Sequence, residues 1–251
     1  MASRSDALWK DQERLSMAPN RRPVMYQRWS HLTFLHWPVP TDLLQGLVPP
    51  ELEIDTHDGQ AYIGLVPFTM SGIRPIALPA LPGLSAFHET NVRTYVHRSG
   101  REPGVWFFSL EAANRIAVQI ARRWFGLPYF HADMRIEIQT DHLGYHSNRI
   151  EGRVKSEVEV RRRGEFAPAA PRTLEYFLIE RYLLYSQHQG RLKSGVVAHQ
   201  PYTFCPAVAT RVQDDLISAA GIEVLGVPPL VHYSPGVDVR VFGLQTVNPS
   251  V

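Results

Sequence analysis

The sequence predicts a mainly β (α+β) protein: a closed or strongly curved antiparallel sheet, in other words a β-barrel, with one long packed helix and short helical insertions. Three observations predict it. Many short segments alternate apolar and polar side chains and are separated by Gly, Pro, Asp or Asn turns. A single long stretch, Ser109 to Phe130, carries a clear helical period. Several strands combine one apolar face with one wet face, and in Glu89 to His97 the polar set suits the lining of a wet interior.

The elements follow in order. Residues 1–22 contain Arg4, Asp6, Lys10, Asp11, Glu13, Arg14, Arg21 and Arg22 without a continuous apolar run, so they read as a flexible N-terminal arm and not as a secretory signal. Residues 23–251 then form one domain. Pro23 to Trp37 is aromatic-rich and alternating, a strand with Leu32, Phe34 and His36 on one face and Trp29, His31, Thr33, Leu35 and Trp37 on the other. Pro38-Val39-Pro40 breaks it, Thr41 caps a short helix through Leu47, and Pro49-Pro50 ends that helix. Asp58-Gly59 is a tight turn before Ala61 to Met70, a strand too uniformly apolar to be half exposed.

Ile73 to Gly83 is a surface loop rich in proline and glycine. Glu89 to His97 alternates Glu89, Asn91, Arg93 and Tyr95 against Thr90, Val92, Thr94 and Val96, and Val105 to Leu110 pairs with it through a turn at Gly100 to Gly104. Ala113, Ile116, Ala117, Ile120, Ala121 and Trp124 make one apolar stripe for packing on a core. Arg115, Gln119, Arg122 and Arg123 fall on the other side. Asn114 or Ser109 can cap the start, and Gly126 followed by Pro128 stops the helix and throws Tyr129, Phe130 and His131 back toward the core.

Asp133 to Thr140, Tyr145 to Ile150 and Arg153 to Arg161 are short strands, the last with Val154, Ser156, Val158 and Val160 on one face and charged residues on the other. Ala167 to Pro171 is a loop. Glu175 to Tyr185 and Arg191 to His199 form a hairpin turning at Gln189-Gly190. Tyr202 to Val212 is a strand, Asp214 to Ala220 a short helix and Val237 to Leu244 a closing strand.

Composition narrows the function. At 251 residues, 44% hydrophobic and 20% charged, the chain has mass for a sizeable core. A net charge of +2, with arginines scattered along the chain, argues against nucleic acid, and Arg161-Arg162-Arg163 before Gly164 reads as a solvated turn. No apolar run approaches the roughly 20 residues that span a bilayer. One cysteine, Cys205, can make neither an internal disulfide nor a thiolate metal site alone, which suits a reducing compartment. The expectation is a soluble cytoplasmic protein.

The standard catalytic signatures are missing. Gly83 to Phe87 approaches a nucleophile elbow but lacks its second glycine, and there is no phosphate loop or dinucleotide fingerprint. His142 and His146, or His131 and Asp133, lack a third ligand, so no metal and no cofactor are expected. The favoured constellation is Glu89 and Arg93 on one strand, Glu111 at the end of the next, His31 or His36 near the N-terminus, and Tyr129 at the helix exit. A buried carboxylate beside an arginine can act as a positioned acid or base while the arginine grips a carboxylate. The bland alternative is a Glu-Arg pair that supports the barrel.

The order of motifs VPTDLLQGLVPPELEID, FHETNVRTYV and IAVQIARRWFGLPYF resembles the acetoacetate decarboxylase-like superfamily. HWPVP, GLVPF, ALPGLSAFHETNVRTYV, GVWFFSL, FLIERYLLY and VHYSPGVDVRVF resemble its YqjF-like branch of uncharacterised proteins, from about Trp29 to Val247. The resemblance implies a cone-shaped β-barrel with a helix outside and a cavity inside. It also implies that Tyr129 and Phe130 occupy the places of two adjacent lysines, the first of which forms a Schiff base in the decarboxylases. Glu89 falls where they carry a catalytic-site glutamate, and His31 lies close to their substrate-binding arginine.

The chain's lysines are Lys10, Lys155 and Lys193, all in polar or turn contexts, so imine catalysis is not expected. Two readings follow. In one, the chain is an enzyme acting on a small carboxylate or carbonyl compound by acid-base chemistry, with Glu89 and Tyr129 catalytic and Arg93, His31, His36, Glu111 and Phe130 at the substrate. In the other, it is a non-catalytic small-molecule binding or sensor module. Homo-oligomers among the decarboxylases extend the expectation to self-association, although no exposed apolar stripe in the sequence identifies an interface.

Overall fold

Half-buried strands need a second layer, and here they obtain it by closing on one another. The structure is a computed structural model and describes residues 4–76, 79, 85–224 and 226–247. The expected loop Ile73 to Gly83 lies partly outside the described residues, as does the start of the Gly83 to Phe87 segment.

The polar arm carries a helix, α1 (Asp6–Ser16), capped by Ser5 and burying Leu8, Trp9, Gln12 and Leu15. The expected flexible arm is therefore corrected to a docked helix. Its few apolar residues recur at helical spacing and find partners on the sheet, a tertiary effect that a count of charges misses.

Strand β1 (Met25–Val39) runs through Pro38 before α2 (Thr41–Gln45), in which Pro40, and not Thr41, takes the capping position. After β2 (Glu53–Ile54) come β3 (Ala61–Pro75), β4 (Phe87–Arg98) and β5 (Arg101–Ala112), joined as a meander. Ser99 and Gly100, both at positive φ, make the tight β4–β5 turn. Helix α3 (Arg115–Phe125) is capped by the Asn114 side chain and ended by Gly126 at φ 62°. It is a crossover, because β6 (Tyr129–Ile138) runs parallel to β5, with Tyr129 opposite Leu110.

The strands β7 (His142–Arg149), β8 (Lys155–Arg162) and β9 (Ala167–Pro168) lead to α4 (Leu174–Ile179). Here the sequence expectation fails. LEYFLI is a short continuous apolar run that fits helix or strand equally, and the Thr173 hydroxyl, accepting from the Tyr176 amide, decides for helix. Strand β10 (Leu183–His188) follows, then β11 (Arg191–His199), β12 (Thr203–Asp214), α5 (Leu216–Ala219), β13 (Leu230–Val241) and β14 (Gln245–Thr246).

Hydrogen bonds close these strands into rings. One ring runs β13–β1–β3–β4–β5–β10–β11 and back to β13, and a second runs from β5 through β6, β7, β8 and β12 to β13. The fold is thus β-barrel-like. It is not wholly antiparallel, since β5 pairs in parallel with both β10 and β6.

A bulge shapes the shared wall. The β1–β3 register shifts between the pairs Ser30–Thr69 and Leu35–Leu65, and His31 sits in that interval at φ 52°. This reverses the alternation, so Trp29 and Leu32 both face the first ring, whereas the sequence puts them on opposite faces. Gly236 permits the approach: a Cβ there would lie 2.1 Å from the Trp29 carbonyl oxygen. Among the described residues, no helix is long and apolar enough to cross a membrane.

Candidate functional site

The first ring encloses a cavity of about 500 Å³, and each of its seven strands contributes to the lining. The β4 alternation supplies the polar side: Glu89, Asn91 and Arg93 point inward in turn. A bulge between Val92 and Arg93 shifts the β5 register, so that Leu110 and Phe107 both face the cavity. Phe68, Phe107 and Leu110, on the strands beside β4, and Leu32, on β1 next to β3, make the adjoining wall apolar.

Helix α3 stands over the opening. The sequence expects its stripe to pack on a core; instead Ile116, Ile120 and Trp124 are exposed by 53, 40 and 68%, and Val118 is its buried residue. These side chains, with Ala117 and Ala121, line the cavity. The amphipathic pattern is real, but what it faces is a hollow.

Glu89 is 3% exposed and accepts a hydrogen bond of 2.8 Å from the Tyr129 hydroxyl. Burial pushes its carboxyl up to about 8, against the pull of the Tyr129 bond, and the Glu111 charge adds to the rise. The Tyr129 phenol is raised well above its ordinary value by burial and by Glu89. At neutral pH the pair is therefore a mostly protonated carboxyl and a neutral phenol.

Arg93 lies deeper. Its Nη2 donates to the Leu178 carbonyl at 3.1 Å, and its guanidinium lies over the rings of Phe34 and Tyr95. Among the described residues it pairs with no carboxylate, so the supporting Glu89–Arg93 ion pair does not form. Beside it on the lining is Arg181, whose Nη1 donates to Asp55 at 2.8 Å. Burial lowers Arg181 to about 10, so it stays charged. Tyr202 completes this end.

The structure brings Glu89, Tyr129 and Arg93 onto one cavity and places the other candidates elsewhere. Glu111, fully buried, is held by Arg149 and by Ser109 Oγ at 3.1 Å. Phe130 follows Tyr129 on a strand and so points away from the cavity, where Arg149 lies 3.6 Å above its ring. His31 bonds Tyr233 Oη at 3.0 Å on the far side of the β1 bulge. His36 sits behind the lining, with Nε2 2.6 Å from Tyr95 Oη, and burial together with Arg93 holds its imidazole well below the ordinary value.

The sequence reading puts Asn91 on the lining face without naming it a site residue, and it does not identify Arg181 or Tyr202 as lining residues. Asn91 was visible as a member of the inward β4 set. Arg181 was hidden in a segment read as a strand.

With this geometry in place, the family assignment rests on direct matches. The family DUF2071, described as an uncharacterized conserved protein, matches residues 26–238. The chain belongs to this family. It is 40% identical over 228 residues to the uncharacterized protein YqjF of Bacillus subtilis (strain 168), covering 88% of this chain and 92% of that one.

Solved structures share the fold of this DUF2071 protein at much lower identity. The acetoacetate decarboxylase of Legionella pneumophila matches with a TM-score of 0.63 at 15% identity, covering 99% of this chain and 98% of that one. An acetoacetate decarboxylase-like enzyme from Sphingomonas wittichii RW1 gives 0.64 at 12%, covering 92% and 95%. The enduracididine biosynthesis enzyme MppR, in a complex with pyruvate, gives 0.60 at 12%, covering 92% and 93%. Lys10, Lys155 and Lys193 of this DUF2071 protein are absent from the cavity lining.

Proposed function

We propose that this DUF2071 protein is an enzyme without a Schiff-base lysine that acts on a carboxylate or carbonyl compound by acid-base chemistry in the cavity of the first ring. The observation that carries the reading is the Glu89–Tyr129 pair: a carboxyl raised to about 8 beside a phenol at 2.8 Å, in a cavity lined by no lysine. A group tuned to this range donates or accepts a proton near neutral pH. In this reading Glu89 moves a proton at a carbon or oxygen next to the ligand's carbonyl, Tyr129 donates a hydrogen bond to the charge that develops, and Arg93 holds a carboxylate. The pyruvate in the MppR complex supports a carbonyl compound here by analogy of fold.

The second reading, a binding or sensor module, draws on the apolar majority of the lining, which holds a ligand without turning it over. A thermal-shift screen of small acids followed by turnover assays separates the two. Turnover that Glu89→Gln abolishes while binding persists supports the enzyme; binding without product under every condition supports the sensor. Borohydride reduction with pyruvate or acetoacetate leaves no mass adduct in either case, and a stable adduct on Lys155 or Lys193 overturns both. A cytoplasmic setting and self-association belong to the same proposal. The free, buried Cys205 supports the former.

A further inference from the structure

Charge at the inner end of the cavity does not balance. Asp55 is shared by two guanidiniums, Arg4 Nε at 2.9 Å and Arg181 Nη1 at 2.8 Å. Arg93 has no carboxylate partner among the described residues. All three arginines are at most 8% exposed. Glu180, another buried acid here, accepts from the Tyr182 hydroxyl and the Tyr202 amide and, raised to about 7 by burial, is only partly ionised at neutral pH. Asp55 and a partly ionised Glu180 against three guanidiniums still leave a surplus of buried positive charge, which is costly unless an anion answers it. Among the described residues, Arg93 Nε and Arg181 Nη2 are buried with no hydrogen-bond partner, and both residues line the cavity.

The rest of the lining asks for something else. From Leu32 and Phe68 to Ile116, Ile120 and Trp124 of α3 the wall is apolar, and the α3 side chains are left uncovered by the protein's own residues. A volume of about 500 Å³ is that of a site for a molecule well beyond two or three carbons. Length matters too. Glu89 and Arg93 are four residues apart on β4, about 13 Å at ordinary strand rise. Arg93 leans over Tyr95, away from Glu89. A longer acid spans that separation more readily than a two- or three-carbon one.

We propose that the ligand is an elongated amphiphilic carboxylate. Its charged head is held by Arg93 and Arg181, its apolar body runs along the β1, β3 and β5 wall, and its far end covers Ile116, Ile120 and Trp124. Glu89 and Tyr129 then meet the body, well down the chain from the head. This rests on the cavity being the ligand site, as in the proposed function, and replaces a small carboxylate by a long one.

The test is isothermal titration at pH 7 with unbranched monocarboxylates from butyrate to decanoate below their micelle concentrations, with pyruvate as a short keto acid and 1-decanol as the uncharged control. The dissociation constant should fall roughly three- to fourfold per added methylene, so decanoate, six methylenes longer, should bind on the order of 1,000-fold tighter than butyrate. Arg93→Gln should weaken decanoate about tenfold or more and leave decanol unchanged. Ile120→Asp, at a position 40% exposed, should weaken decanoate far more than butyrate. A flat series, pyruvate binding as tightly as decanoate, or decanol matching decanoate overturns the long-chain proposal and leaves the proposed function standing. Failure of pyruvate, butyrate and decanoate alike overturns both.

Discussion

The Tyr129 hydroxyl reaches across β5 to donate to Glu89 on β4 at 2.8 Å, and that bond opposes the burial that holds the carboxyl protonated. The pair exists because β5, α3 and β6 form a parallel crossover, which returns the chain one strand away from β4 with Tyr129 facing inward.

The raised Glu89 carboxyl makes stability depend on pH. Its folded value, about 8, lies above the unfolded value near 4.5, so between these the folded state binds the extra proton. Stability is fully present below about pH 4.5 and falls as pH rises through about 8. Glu180, raised to about 7 by burial, contributes in the same direction. Melting temperatures of the Glu89→Gln variant across this range should therefore decline less steeply than those of the parent protein, and an unchanged slope would show that Glu89 titrates normally.

Tyr129→Phe removes the bond that favours the ionised carboxylate while leaving the burial that disfavours it. Glu89 should then titrate above about 8. Carbon-13 NMR of glutamate-labelled protein reads this directly. A midpoint that moves down on losing the hydroxyl would mean that solvent replaces the phenol and that the pair is not enclosed.

Among the described residues, Asp55 is the sole carboxylate in ion pairs with Arg4 and Arg181, all of it buried. Asp55→Ala leaves both guanidiniums without it and should cost about 3–5 kcal/mol in urea denaturation. Arg4→Ala should also be destabilising, because Arg4 also lies 4.1 Å over the Trp9 ring and ties α1 to the sheet. A loss within experimental error for both variants would mean that α1 is not docked through this network.

These contacts also mark how far the residues could be read unaided. The alternation of Glu89, Asn91, Arg93 and Tyr95 identified the inward face of β4 because a strand's period leaves no freedom once one side is buried. By the same rule Tyr129 and Phe130 could not share a site, and Phe130 lies on the outer face beside Arg149. The His31 bulge was illegible, since a single positive φ in a tract of fifteen strand residues leaves no mark in an apolar pattern. Arg181 and α4 were hidden by the ambiguity of a short apolar run, and Arg181 owes its place to Asp55, 126 positions away. Pattern locates faces; it does not say whether a face meets a core or a cavity, as α3 shows.

That last distinction is measurable. An apolar stripe packed on a core makes Ile→Ala cost about 2–5 kcal/mol and Trp→Ala about 3–5 kcal/mol. Ile120 and Trp124 of α3 are 40 and 68% exposed and border the cavity, so Ile120→Ala and Trp124→Ala should each cost under about 1 kcal/mol in the ligand-free protein. Asn114→Ala, by contrast, removes the side chain that accepts from the Ile116 and Ala117 amides and should cost about 1 kcal/mol. Chemical denaturation of the three variants sets the order: a cap substitution as costly as the loss of a tryptophan fits a helix roofing a hollow. A Trp124→Ala penalty of several kcal/mol would instead mean that the helix closes down on the sheet and fills the space.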